Sequence, residues 1–269
     1  MSGKRIIIIG AGAAGIRMGI QLRKMGVSSF QILEKGQSVG GTWRDNRYPG
    51  VACDVPAQYY CYPFAPNTAV TNTFATGAQL WDYFRDIATQ FEIDNHIRFG
   101  VDVIAAEWVG GEWLLNTANG ETIRADVVVG AVGRLRVPRF PVIEGLEEFT
   151  GPVVHSAQWD PELSLSGKRI GIIGTGSSAV QIVSATVDAA AHVDLFQRTA
   201  QWIYPWRNEP IDNNELELAR SSRTEAARAY GRARERFQDL FEGIVTEANA
   251  TVRDKACLDA LNAVKDPVL

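Results

Sequence analysis

The 269-residue chain has only three cysteines, Cys53, Cys61 and Cys257, and they form neither a CxxC pair nor a zinc-ligand spacing. An odd count at such spacings does not suggest a disulfide framework and leaves buried, reduced thiols as the expectation. Long apolar runs are missing too. The one near the start, Ile6 to Ile9, is too short for a membrane span or a signal-peptide core and leads straight into glycines. Blocks of one charge are also absent: the net charge of −4 comes from interspersed acids and bases, so neither a nucleic-acid surface nor a polybasic membrane anchor is expected. With 46% hydrophobic residues the chain can bury one large core or two smaller ones. A cytoplasmic protein with a small-molecule ligand is the expectation.

What is present is one device written twice. "KRIIIIGAGAAGIRMGIQLRKMG" reads as a buried strand, a glycine turn and an amphipathic helix, with Gly10, Gly12 and Gly15 forming GxGxxG between them. The first glycine permits the tight turn, the second lets backbone approach a pyrophosphate, and the third lets helix pack close to strand. The N-terminus of the helix then offers unpaired N–H groups to phosphate. The following strand, in "SSFQILEKG", ends at Glu34, whose carboxylate suits the two hydroxyls of an unphosphorylated ribose, so this site takes FAD or NAD.

The second copy is "GKRIGIIGTGSSAVQIV", with Gly174, Gly176 and Ala179 after a strand expected over Ile170–Ile173. Its next strand, "HVDLFQRT", leads to Arg198 at the same sequence offset as Glu34, which predicts equivalent places in the two copies. A forked cation there favours a 2′-phosphate. Two different dinucleotides are implied, and NADPH with FAD is the pair that makes chemical sense.

Between the copies, "GQSVGGTWRDNRYPGVACDVPAQYYCYPF" is long and irregular, which marks a functional loop. Gly40 and Gly41 permit close backbone approach, and Trp43, Tyr59, Tyr60 and Tyr62 are either walls for a ring system or core filler. Leu80, Tyr83, Phe84 and Ile87 have helical spacing. The stretch after them predicts a small antiparallel sheet turning at "GGE" and "ANGE", then a buried strand over Ala125–Val129. Beyond "WIYPWRNEPIDNN" the sequence becomes charged, alanine-rich helix with an apolar stripe at Phe237, Leu240, Phe241 and Ile244.

"FTGPVVHSAQWD" lies between the two motifs, and its Phe149, Gly151, His155, Trp159 and Asp160 fit FxGxxxHxxxW followed by Pro or Asp. With GGTW at 40–43, "RYPGVACDVP" and "FQRTAQW", the chain resembles the Baeyer-Villiger monooxygenases of the flavin-containing monooxygenase superfamily. Relatives that oxygenate nitrogen or sulfur carry Phe or Tyr where Trp159 stands.

The resemblance implies an α/β fold of two Rossmann-like dinucleotide-binding domains with an inserted antiparallel sheet and a helical C-terminal segment. The expected boundaries are 1–140 for FAD, 141–211 for the fingerprint and NADPH unit, and 212–269 for the helices. It further implies that NADPH reduces FAD, that the reduced flavin adds O2 at C4a, and that the peroxide inserts oxygen beside a ketone carbonyl to give an ester or lactone. Phe149, Gly151, His155 and Trp159 become conformational residues at a hinge.

Asp54 matches the active-site aspartate that orients an arginine; a loop-capping carboxylate is the plainer alternative. FAD contacts fall on Gly10, Gly12, Ala14, Gly15, Glu34, Lys35, Gly41, Thr42, Trp43, Asp54, Tyr60 and Val103. NADPH contacts fall on Gly174, Thr175, Gly176, Ser177, Ser178, Gln181, Arg198 and Thr199. The chain stops near the midpoint of that family, before its catalytic arginine, and too few strands follow the second motif for a stable open sheet. A fragment, or a chain completed by another, is expected to be inactive alone. A flavin or disulfide reductase, an N- or S-oxygenase, and a non-catalytic nucleotide-binding protein are the alternatives.

Overall fold

The computed structural model describes residues 3–135, 137–199, 201, 203, 206–245 and 250–263. By internal contacts the chain divides into two units, Met1–Tyr48 with Gly77–Leu163, and Pro49–Thr76 with Ser164–Leu269.

The first unit opens with β1 (Ile6–Ile9), paired with a strand on each side; Ile6, Ile7 and Ile8 are buried and Ile9 is partly buried. Helix α1 (Ala13–Lys24) follows the glycine turn and buries Gly15, Ile16, Gly19 and Ile20, one face at helical spacing, together with Leu22. Strand β2 (Phe30–Glu34) pairs parallel with β1, and a four-residue helix α2 (Thr42–Asp45) precedes the departure of the chain into the second unit. On its return, α3 (Gly77–Gln90) buries Leu80, Tyr83, Phe84 and Ile87, the stripe read from the sequence. Strand β3 (Ile97–Phe99) then completes one edge beside β2.

The inserted antiparallel sheet comprises β4 (Val103–Val109), β5 (Glu112–Thr117) and β6 (Thr122–Ala125), turning where expected. The strand expected over Ala125–Val129 is two elements. Ala125 ends β6, and β7 (Val127–Gly130) returns to pair with β1, giving the parallel order β3-β2-β1-β7. Asp126 makes the break: it accepts hydrogen bonds from the Arg5 backbone at 2.7 Å and from the Arg5 guanidinium, so the chain changes sheets there. As the outer strand, β7 is half-buried rather than buried.

In the second unit β8 (Arg169–Ile173), α4 (Ser177–Thr186) and β9 (His192–Phe196) form a βαβ unit with a two-stranded parallel sheet. Helices α5 (Asn213–Ser221), α6 (Arg223–Val245) and α7 (Ala250–Asn262) follow, the first capped by the Asp212 carboxylate on the Asn214 and Glu215 N–H groups. Leu216 and Ala219 on α5 and Ala226, Ala229 and Ala233 on α6 are buried, so small alanines let these helices pack closely. Of the apolar stripe read on α6, Phe237 meets Tyr59, while the side chains of Leu240, Phe241 and Ile244 lie outside the described residues.

The segment 49–76, expected within the first domain, belongs by its contacts to the second unit. Backbone pairing explains this: the Thr73 N–H donates to the Glu209 carbonyl at 2.9 Å and the Ile211 N–H to the Thr71 carbonyl at 2.8 Å.

Candidate dinucleotide sites

In the first glycine turn Gly10 and Gly15 meet a packing demand. Gly10 has φ +102°, and a Cβ on it would lie 2.6 Å from the Ala131 carbonyl oxygen. A Cβ on Gly15 would fall 1.9 Å from the Gly10 carbonyl oxygen, so helix and turn approach only because that carbon is absent. Gly12 is the N-cap of α1 with no side chain bonded over the helix end, and no acid occupies the first turn. Gly41 faces it, backbone to backbone, such that a Cβ on Gly41 would meet the Gly12 Cα at 3.1 Å. This is a cradle of backbone at a positive helix end, the chemistry that holds phosphate.

Glu34 is buried at the end of β2. Its Oε2 accepts from the Ala11 N–H at 2.8 Å and its Oε1 from the Gly36 N–H at 2.7 Å. The Arg44 guanidinium, also buried, donates to Oε1 at 2.9 Å and grips Asp45 with two further bonds. Burial pulls the Arg44 pKa down, but hydrogen bonds to Asp45 and Glu34 outweigh it and hold the group above its usual value. Nothing in "GGTWRD" marks Arg44 as the partner of a buried carboxylate ten residues earlier; the space for it comes from Gly36, where a Cβ would lie 2.3 Å from Nη1.

The other expected flavin-side residues are dispersed. Lys35 and Thr42 are exposed, Trp43 is half-buried, and Ala14 lies in the first turn of α1. The Val103 side chain packs on the cluster of Ile7, Leu33, Val101, Leu115 and Ala125. Gly40 serves the protein interior, since a Cβ there would strike Trp81 at 2.6 Å. Asp54 and Tyr60 belong to the second unit. Of the ring-wall candidates, Tyr59 packs on Tyr230 and Phe237, and Tyr62 is buried and stacks on Phe64, so these two are filler.

At the second turn Gly176 is again an N-cap without a side-chain bond, and Gly174 has φ +108°. Thr175 Oγ1 donates to the Thr199 carbonyl at 3.3 Å, joining the turn to the end of the next strand. The register corrects the matching of Glu34 with Arg198. The Gly10 N–H donates to the Leu33 carbonyl at 2.8 Å, and the Gly174 N–H to the Phe196 carbonyl at 2.9 Å. Leu33 and Phe196 are therefore equivalent, Gln197 stands where Glu34 does, and Arg198 corresponds to Lys35. The second crossover is one residue shorter, which an equal offset conceals. Arg198 and Thr199 are exposed, and Ser178 lies in the first turn of α4.

Two expected coenzyme contacts are used inside the unit. Ser177 Oγ donates to Asp54 Oδ2 at 3.0 Å, and Gln181 Nε2 donates to the Ala52 carbonyl at 2.9 Å. In the fingerprint, His155 Nδ1 accepts from the Ala157 N–H at 3.1 Å, capping a short 3-10 turn, and its ring stands edge-on to Phe140. Gly151 lies under the exposed Phe149 ring, whose edge would be 2.6 Å from a Cβ added there. Trp159 is half-buried, and Asp160 caps the next turn through the Glu162 N–H at 3.0 Å.

Residues 7–233 match the family described as pyridine nucleotide-disulphide oxidoreductase. The chain belongs to this family. Within it the similarity is to the monooxygenase branch: a Baeyer-Villiger monooxygenase of Streptomyces coelicolor is 42% identical over 219 residues, covering 81% of this chain and 42% of the relative. The crystal structure of cyclohexanone monooxygenase from Rhodococcus sp. Phi1 bound to NADP+ superposes with TM-score 0.74 at 31% identity, over 81% of this chain and 42% of that one. The OTEMO complex with FAD and NADP gives TM-score 0.75 at 30% identity, over 83% and 44%. The chain thus spans less than half the length of these relatives, and the resemblance seen in the fingerprint holds.

The thiols do not fit the disulphide chemistry in the family's name. Burial pushes the Cys53 thiol up to about 12 and the Cys61 thiol up to about 11, so neither is a thiolate at neutral pH. The Cys257 side chain lies outside the described residues.

Proposed function

We propose that these residues carry both dinucleotide cradles of an NADPH- and FAD-dependent monooxygenase, which inserts one oxygen atom from O2 beside a ketone carbonyl to give an ester or lactone. The observation that carries this reading is the chemical difference between two otherwise similar glycine turns. One is backed by a buried carboxylate held by two backbone N–H groups, and the other leads into Gln197, Arg198 and Thr199.

The first cradle fits the adenosine and pyrophosphate of FAD. Gly10, Gly12 and Gly15 admit the backbone close to phosphate, and Glu34 presents fixed oxygens to ribose hydroxyls. Carboxylate oxygens accept more than one hydrogen bond each, so the contacts to Ala11, Gly36 and Arg44 orient Glu34 without exhausting it. The second cradle fits NADPH: Gly174 and Gly176 shape the turn, the α4 N-terminus attracts pyrophosphate, and Arg198 with Thr199 suits a 2′-phosphate. When bound, the flavin would take hydride from NADPH and activate O2.

The chain's own residues bind, orient and shield. Asp54 orients a guanidinium supplied from outside these 269 residues, placing a cation where negative charge develops. Phe149, Gly151, His155 and Trp159 hold the fingerprint segment in one shape, with His155 capping rather than exchanging protons. Residues outside this stretch complete the activity, in keeping with Ile173, Leu195 and Phe196 lying exposed on the two-stranded sheet.

The test is the full-length enzyme with NADPH, a cyclic ketone and isotopically labelled O2. One labelled oxygen in an ester or lactone is expected. NADPH consumption that yields only hydrogen peroxide would place the protein with the flavin reductases instead.

A further inference from the structure

Helix α4 and the run from Gly50 to Asp54, which forms a β-bridge at Ala52, lie along each other within the second unit in matched register. Ser177, at the first helical position, holds Asp54 at 3.0 Å. One turn on, Gln181 clamps Ala52 in both directions: its Nε2 donates to the Ala52 carbonyl at 2.9 Å, and its Oε1 faces the Ala52 N–H at 3.4 Å. Gly50 then meets the helix so closely that a Cβ would lie 2.7 Å from the Gln181 carbonyl oxygen and 2.9 Å from the Ala185 Cβ, at φ +77°. The spacing has a geometric cause. Four helical residues rise about 6.0 Å and two extended residues about 6.6 Å, so a helix stepping by four keeps pace with a strand stepping by two. The far side of the run is fixed as well, because Ala52 bridges to Thr76 and the Cys53 N–H donates to the Ala75 carbonyl at 2.9 Å.

We propose that Gln181 is a positioning residue that fixes Asp54 to the coenzyme-binding end of α4, rather than a residue that binds the coenzyme directly. The inference rests on the function proposed above, which makes Asp54 part of the reaction centre and α4 the NADPH helix. Asp54 is carried on a segment without regular secondary structure of its own. The helix beneath it contributes to its position, and among the described residues Gln181 bonds both polar groups of a backbone residue in that segment.

The test uses the full-length holoenzyme and measures anaerobic flavin reduction by NADPH, separating the limiting rate from the NADPH dissociation constant. Gln181→Met keeps volume and removes both hydrogen bonds. It is expected to lower the limiting rate about tenfold, within what a misplaced group costs, with the dissociation constant changed less than about threefold. In an Asp54→Ala background the same substitution is expected to change the rate by less than about twofold, because its effect passes through Asp54. Gly50→Ala, which pushes the run off the helix from the other side, should reproduce this pattern.

An unchanged rate, a loss confined to the dissociation constant, or a full tenfold loss persisting without Asp54 would each overturn the proposal. Hydrogen exchange gives a readout independent of the chemistry: amides of residues 50–54 should exchange about tenfold faster in Gln181→Met, and unaltered protection would refute the register itself. If NADPH fails to reduce the flavin of the wild-type enzyme, the proposed function falls, and the exchange measurement still judges the role of Gln181.

Discussion

The two glycine turns are near-identical sentences with different consequences. Around Gly10 the turn is enclosed: the Ala131 carbonyl leaves no room for a Cβ on Gly10, the Gly10 carbonyl leaves none for a Cβ on Gly15, and β1 is paired on both sides. Among the described residues, nothing approaches within 4 Å of a Cβ added at Gly174 or Gly176, and β8 pairs with β9 alone. Gly174 is needed for its positive φ, Gly10 for both conformation and space, and Gly15 for space alone. Position 179 shows the same thing, since alanine is accepted where the first copy demands Gly15. A motif therefore specifies a turn, and the neighbours decide how much each of its residues matters.

The largest expected effect breaks this contrast directly. Gly15→Ala sets a methyl against the Gly10 carbonyl and should destabilise the first unit by about 3 kcal/mol, whereas Gly176→Ala should stay within about 0.5 kcal/mol; denaturant unfolding of both variants measures the difference. Next comes the buried ion pair, which has no counterpart among the described residues of the second unit. Arg44→Met strands Glu34 and should cost about 2–3 kcal/mol, with flavin lost on dilution. Flavin retained in full alongside lost stability would separate a folding role from a binding one.

The chemical difference between the cradles is sharpened by coenzyme choice. Arg198→Ala should weaken NADPH binding by about 10- to 100-fold and leave NADH within about twofold, through loss of a charge-assisted contact. Titrations with both coenzymes check it, and equal losses would give Arg198 another task. Glu34→Ala should instead reduce the flavin content of the purified protein.

The smallest effect is a difference in acid response. Hydrogen bonds from Arg5 hold the Asp126 carboxyl well below the usual range, and those from Arg5 and Arg98 lower Glu112 and Glu121. Among the described residues, every carboxylate held low in this way lies in the first unit. A depressed folded-state pKa contributes stability that is present above the unfolded value, near pH 4, and is lost as pH falls through the folded value. The first unit should thus lose stability on acidification, and Asp126→Asn should make that loss shallower in melting curves taken between pH 5 and 2.

Much of this was legible in the sequence because it depends on local pattern. The Ile6–Ile9 run, the stripe on α3, the two insert turns and both glycine motifs are local signals, and each produced its element. Errors arose where distant residues decide. Asp126 ends a strand because Arg5 reaches it from the other end of the unit's sequence, and Tyr59 became filler because α6 lies against it. The Glu34–Arg198 equivalence failed by one residue, since counting cannot see that one crossover is shorter.

By itself the sequence determined that there are two phosphate-type turns, an acid after one and a cation after the other, and a fingerprint between them. Short-range sterics of glycine and the periodicities of helix and strand are enough for that. Only the tertiary structure decided that the Asp54 segment belongs with α4, that Gln181 clamps it, and that Arg44 balances Glu34. These depend on which groups approach within hydrogen-bonding distance once the chain has folded back on itself, over ten residues for Arg44 and Glu34 and over more than a hundred for Gln181 and Ala52, and no local preference encodes that distance.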